Sequence, residues 1–105
     1  MEAFAHNKEI IQQTGKVLQK AFDLALPARL DDLEQLIALL VPAIRQWLDH
    51  DLEKLLQFCY RIDLNEEKLK GILHESAPGK IAEDLSRAII LRQIQKFELR
   101  KKYSS

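Results

Sequence analysis

Apolar residues recur at helical spacing along most of the chain. Two adjacent columns that repeat every seven residues predict a first helix over about residues 3–24. Between residues 30 and 62 the apolar residues follow one another in steps of three and four, which keeps them on one face of a helix. This middle stripe consists of Leu30, Leu33, Ile37, Leu40, Val41, Ile44, Leu48, Leu52, Leu55, Cys59 and Ile62.

Capping residues and turn residues predict where the helices begin and end. Pro27 ends the first helix, because a residue before proline is pushed out of helical geometry. Asp31 begins the second helix as its cap. Asn65, followed by two acidic residues, begins a short helix that runs to about residue 75. Residues 76–79 then form a loop, and a last helix covers about residues 80–102.

Pro42 lies inside the middle stripe, which nevertheless keeps its phase. A proline in a helix interior costs about 3 kcal/mol, but no capping residue or glycine lies near Pro42. We therefore predict a kink at Pro42 within the second helix. A break is expected further on, at Asp49 or Asp51, where a carboxylate can cap a third helix that runs to about Arg61.

Together these elements predict an all-α fold. Because short connections make sequential helices antiparallel neighbours, we expect a compact bundle of four to five mostly antiparallel helices. The length of 105 residues suits a single helical-bundle domain over residues 1–105.

The charges balance overall but are unevenly distributed. Sixteen basic and sixteen acidic residues give a net charge of zero, so no global field attracts nucleic acid or a membrane. Residues 28–67 hold nine acids and four bases, whereas residues 80–102 hold seven bases and three acids. We expect the last helix to pack near the acidic middle or to contact an acidic partner. The predicted contacts for such a partner are Arg92, Lys96, Arg100 and Lys101.

The N-terminus and the apolar runs indicate a cytoplasmic protein. The chain begins with an acidic, amphipathic segment that does not resemble a signal peptide. The longest apolar run, residues 36–44, is too short to span a bilayer.

Few residues suggest chemistry. Asp49, His50 and Asp51 are suitable metal ligands, but adjacent residues on a helix point about 100° apart and cannot converge on one ion. Cys59 lies on the apolar stripe and is best explained as a small buried residue. We therefore predict no metal site, no cofactor and no enzymatic activity.

The middle stripe ends just before the Asn65 cap, at Tyr60, Arg61 and Asp63. We predict that these three residues form a structural corner held by a hydrogen bond and an ion pair. The alternative is a small recognition site at a helix end.

The last helix carries more apolar residues than one face can use. One side holds Ile81, Leu85, Ala88, Ile89 and Leu99. Ile90, Ile94 and Phe97 lie on nearly the opposite side. Such a helix is either central in its domain or shared with a second subunit. We predict a homodimer that uses Ile90, Ile94 and Phe97, with insertion of the helix among the others as the alternative.

The predicted function is a non-enzymatic protein-interaction module, structural or adaptor in role, that associates with itself. Nucleic-acid binding is the alternative, because residues 65–102 resemble a helix-turn-helix in outline. Against it, Glu83 and Asp84 at the start of the would-be recognition helix would face phosphates.

Two segments resemble stretches of short, uncharacterised helical bacterial proteins. They are residues 55–68 (LLQFCYRIDLNEEK) and residues 82–96, from AEDL through QIQK. The resemblance implies a small all-helical bacterial protein and supplies no activity, ligand or site residue.

Overall fold

The computed structural model describes residues 8–103, which form five α-helices and no strand. The helices are α1 (Lys8–Phe22), α2 (Leu33–His50), α3 (Leu52–Arg61), α4 (Glu66–Glu75) and α5 (Ile81–Tyr103), and a 3-10 turn, Pro78–Lys80, leads directly into α5. The predicted all-α fold is confirmed, and the fold is compact, with a radius of gyration of 13.6 Å. The predicted antiparallel arrangement stays a prediction. Residues 3–7 of the first predicted helix lie outside the described residues.

α5 is the central helix and packs against α1, α2 and α4. Leu85, Ile89 and Ile90 are completely buried, and Ile94 is 1% exposed. These side chains belong to one core cluster that also contains buried residues of α1, α2, α3 and α4. The first half of α5 therefore buries apolar residues on more than one side, which explains its lack of a single apolar face.

This burial corrects the expectation that Ile90 and Ile94 form an exposed face with Phe97. The two isoleucines lie in the core of the chain itself, and Phe97 is half-buried. Insertion among the other helices, the alternative for the last helix, is the arrangement found.

The middle stripe forms two helices joined at Asp51, one of the two predicted break points. The Asp51 N–H donates to the Trp47 carbonyl at 2.9 Å, and the Asp51 carboxylate accepts from the Lys54 N–H at 3.2 Å. One residue therefore ends α2 and caps α3. α2 continues through Pro42 as one helix, and the predicted kink stays a prediction. Leu52, which is 45% exposed, is the exposed member of the stripe.

The caps of α2 and α4 follow helix-capping rules, with one shift from the prediction. Asp32, and not Asp31, caps α2, because its carboxylate accepts from the Gln35 N–H at 2.8 Å. The Gln35 side chain accepts in turn from the Asp31 N–H at 2.9 Å. Asn65 caps α4 as predicted and accepts from the Lys68 N–H at 2.9 Å.

α1 ends at Phe22, several residues before Pro27. Asp23 has a φ of 56°, in the left-handed region, and the Leu24 N–H reaches back to the Gln19 carbonyl at 3.3 Å. This geometry is a helix C-cap that glycine usually supplies. Because an aspartate stands in its place, the sequence pattern predicted the helix to about residue 24, two residues beyond the end found.

An ion pair ties α2 to the first half of α5. The Arg87 guanidinium donates to both carboxylate oxygens of Glu34, at 2.8 and 3.1 Å. This hydrogen bonding lowers the pKa of the Glu34 carboxyl from its ordinary value and raises the pKa of Arg87. Because both side chains are well exposed, the pair fixes orientation more than it adds stability.

Gly15 of α1 lets the segment after α1 cross the helix closely. A Cβ at Gly15 would lie 2.6 Å from Cδ2 of Leu30, and Leu30 is only 4% exposed. Gly71 of α4 differs, because a Cβ there would meet nothing within 4 Å. The two glycines occupy helix interiors, so they share the same intrinsic cost of about 1 kcal/mol relative to alanine.

We predict unequal effects for alanine at these two positions. Gly71→Ala should raise the free energy of unfolding by about 0.5–1 kcal/mol, through helix propensity alone. Gly15→Ala should stabilise less than Gly71→Ala, because its new methyl group must displace the end of the buried Leu30 side chain, and the cost of that shift offsets the gain in helix propensity. Urea unfolding followed by circular dichroism measures both. Equal stabilisation by the two substitutions would contradict the close approach at Gly15.

Candidate functional site

The second half of α5 exposes a row of side chains on its outer side. Leu91 is 36% exposed, Leu99 42% and Tyr103 78%. With the exposed Gln95 they follow one another in steps of four, so they lie along one side of the helix. We call Leu91, Gln95, Leu99 and Tyr103 the α5 strip. Leu91, Leu99 and Tyr103 are the apolar members of this strip, and they are available for contact with another molecule.

A groove lies beside the start of the α5 strip. It has a volume of about 620 Å³ and runs between the beginning of α4 and the middle of α5. Leu91, Arg92 and Gln95 line it from α5, and Leu64 and Lys68 line it from the other side. The strip and the groove therefore form one continuous surface with apolar residues, two basic residues (Lys68 and Arg92) and one acidic residue, Asp63.

Three of the four residues predicted to contact an acidic partner lie on one side of α5, and Arg92 among them lines this groove. Arg92, Lys96 and Arg100 follow one another in steps of four and form a row beside the α5 strip. The Arg100 guanidinium also lies over the Phe97 ring, at 5.3 Å from its centre. Arg100 and Lys101 both line a different groove, together with Glu9 and Phe97.

The acidic middle of the chain does not neutralise this row within the described residues. Arg87, in the first half of α5, pairs with Glu34. Arg92, Lys96 and Arg100 form no ion pair with any residue between 8 and 103. The expectation that the last helix packs near the acidic middle is therefore met only by its first half.

The predicted corner at Tyr60, Arg61 and Asp63 ends α3 through backbone hydrogen bonds. The Asp63 N–H donates to the Tyr60 carbonyl at 3.0 Å, and the Leu64 N–H donates to the Cys59 carbonyl at 2.9 Å. Asp63 has a φ of 60° and takes the left-handed position that glycine usually fills. In the described part of the chain, neither Arg61 nor Asp63 forms the predicted ion pair.

Arg92 joins this corner to the α5 strip, a role that the sequence did not reveal. Its Nε donates to the Ile62 carbonyl at 3.0 Å, and its Nη1 donates to Oε1 of Gln95 at 2.8 Å. Ile62 is 30 positions away in the sequence, so no local pattern marks the contact. The two bonds hold the Arg92 guanidinium in the groove wall.

The remaining candidates for chemistry are the possible metal ligands at residues 49–51 and the thiol of Cys59. No group of three or more His, Cys, Asp and Glu in residues 8–103 is placed to hold a metal ion. Asp49 and His50 are exposed, and Asp51 is engaged as a helix cap.

Burial raises the pKa of the Cys59 thiol to about 11, which keeps it protonated and unreactive at neutral pH. No helix in the described part is both long and apolar enough to cross a bilayer.

No family model matches the sequence, and no curated protein and no solved structure was found to match it. The resemblance to short helical bacterial proteins therefore has no support from these comparisons and stays a prediction.

We predict that the corner at Asp63 is structural. Asp63→Gly should raise the free energy of unfolding by about 1 kcal/mol, because glycine adopts a positive φ without steric cost. Asp23→Gly is the matched control, since Asp23 has almost the same conformation at the end of α1. Thermal and urea unfolding measure both changes. If Asp63→Gly destabilised the protein while Asp23→Gly stabilised it, the Asp63 carboxylate would have a role beyond ending the helix.

Proposed function

We propose that the chain is a non-enzymatic protein-interaction module that binds an acidic, amphipathic helix through the α5 strip. The observation that supports this is the exposed apolar row beside Arg92, Lys96 and Arg100, which have no acidic partner in residues 8–103. The cytoplasm is the proposed location.

The contact would use a helix-in-groove mode. Apolar residues of the partner, spaced at three and four positions, would pack on Leu91, Leu99 and Tyr103. Acidic residues on the flank of the partner would face the row of cations. Arg92 is already held by Ile62 and Gln95, so little side-chain freedom is lost when it binds a carboxylate.

Charge favours a different protein over a second copy of this chain. A homodimer would use the α5 strip, because Ile90 and Ile94 are buried. A two-fold contact brings the same patch of both copies together. The cation row of one copy would then lie near the cation row of the other, and like charges repel.

Nucleic-acid binding through residues 65–102 has less support. A helix-turn-helix needs its second helix exposed so that it can enter the major groove. The start of α5 instead contributes Ala82, Leu85 and Ala88 to the core. The basic residues toward the C-terminal end of α5 are accessible and could attract phosphates through charge alone.

A designed peptide tests the proposed function. The probe is a fluorescent helical peptide with leucines along one face and glutamates along its flanks. We expect saturable binding in an anisotropy titration, and Leu99→Glu should weaken it by about tenfold or more, by placing a charge in the apolar contact. Val17→Glu is the control, because Val17 is similarly exposed, at 37%, but lies on α1.

Several outcomes would contradict this function. One is equal binding of a scrambled peptide with the same composition, which would indicate charge attraction alone. Another is a stable dimer in sedimentation that Leu99→Glu dissociates, which would indicate self-association. Tighter binding of a DNA or RNA oligonucleotide, lost steeply as salt rises, would indicate nucleic-acid binding.

A further inference from the structure

A further groove, separate from the two described above, lies where the junction of α2 and α3 faces the connection between α4 and α5. Its volume is about 550 Å³, within the range of about 300–1,000 Å³ that is typical of small-molecule sites. Four separate helices line it with one large aliphatic side chain each. These are Leu48 of α2, Leu52 of α3, Leu73 of α4 and Ile81 of α5.

The aliphatic side chains of this groove are incompletely buried. Leu48, Leu73 and Ile81 are half-buried, and Leu52 is 45% exposed. Leu52 belongs to the middle stripe, whose other members are buried or half-buried. The stripe therefore leaves the core at this point and contributes to the wall of the groove. A hydrocarbon chain bound there would cover these side chains and gain the free energy of apolar burial.

The rim of the groove indicates which polar group such a molecule carries. Arg45 and His74 lie on the rim together with one acid, Asp49. Arg45 forms no ion pair with the described residues, so its guanidinium is available to bind a carboxylate through two parallel hydrogen bonds. Asp49 repels anions, and this disfavours a doubly charged phosphate more than a singly charged carboxylate.

We propose that this groove binds a small amphipathic carboxylic acid. Its hydrocarbon chain would lie among Leu48, Leu52, Leu73 and Ile81, and its carboxylate would bind Arg45. Arg45 also lines an adjoining groove of about 370 Å³, whose two acids, Glu34 and Glu83, are both paired with Arg87. This groove leaves space for substituents near the carboxylate. The site shares no residue with the α5 strip and is independent of the proposed function.

Calorimetric titration with decanoate tests this proposal. We expect saturable binding of one decanoate per chain at concentrations below its micelle formation. Leu52→Lys should weaken binding by about tenfold or more, because it places a charge in the path of the hydrocarbon chain. Leu99→Lys is the matched control, since it changes an equally exposed leucine outside the groove, at 42% exposure. It should leave decanoate binding unchanged.

The role of Arg45 is tested with a neutral and a cationic analogue. Arg45→Gln should weaken decanoate by about tenfold but leave the weaker binding of decanol unchanged. Circular dichroism checks that these surface substitutions retain the fold. Three results would overturn the proposal: no saturable decanoate binding, equal loss in Leu52→Lys and Leu99→Lys, or decylammonium binding as tightly as decanoate.

Discussion

The burial of α5 among three other helices is the constraint on which the rest of the structure depends. Leu85, Ile89 and Ile90 are completely buried, and α1, α2 and α4 each pack on this helix. A chain of 105 residues buries only about two thirds of the surface that it exposes when unfolded. One helix that supplies apolar side chains to several neighbours makes a continuous core from elements that are each too short to form one.

The candidate binding surface follows from a mismatch in helix length. α5 has 23 residues and α4 has ten, so α4 covers less than half of α5. The N-terminal half of α5 lies in the core, and the C-terminal half exposes Leu91, Leu99 and Tyr103. Arg92 lies in the middle of α5. Its Nε donates to the Ile62 carbonyl at the end of α3, and its side chain lines the groove beside the exposed row. The same contact that closes the α3–α4 corner therefore holds the Arg92 guanidinium at the wall of the groove.

Local chemistry in the sequence predicted much of the fold. Helical periodicity identified the all-α class, and capping rules identified Asn65 as one helix start and left Asp49 and Asp51 as alternatives for another, of which Asp51 is the cap found. The same rules failed by one residue at Asp31, since Asp32 beside it is an equally good cap. The predicted end of the first helix, at about residue 24, lies two residues beyond Phe22, because Asp23 takes a conformation that is expected of glycine.

Features that depend on distant residues could not be predicted. Periodicity showed two apolar sides of the last helix but not which side a neighbour covers, and the side assigned to a second copy contains the buried Ile90 and Ile94. The row of cations was visible as a cluster of charge. The cluster is divided between two grooves, with Arg92 beside the start of α4 and both Arg100 and Lys101 beside α1, and this division depends on the packing of α1 and α4.

Replacement of Ile94 by aspartate tests the central position of α5 most directly. Ile94 is 1% exposed in the described structure. A buried, unpaired carboxylate costs several kcal/mol, which is a large part of the stability of about 5–15 kcal/mol that is typical of natural proteins. We therefore expect Ile94→Asp to lose most of its helical circular dichroism at 25 °C. A variant as helical as the wild type, with half its mass in sedimentation, would contradict the burial of α5 and indicate a dimer interface at Ile94.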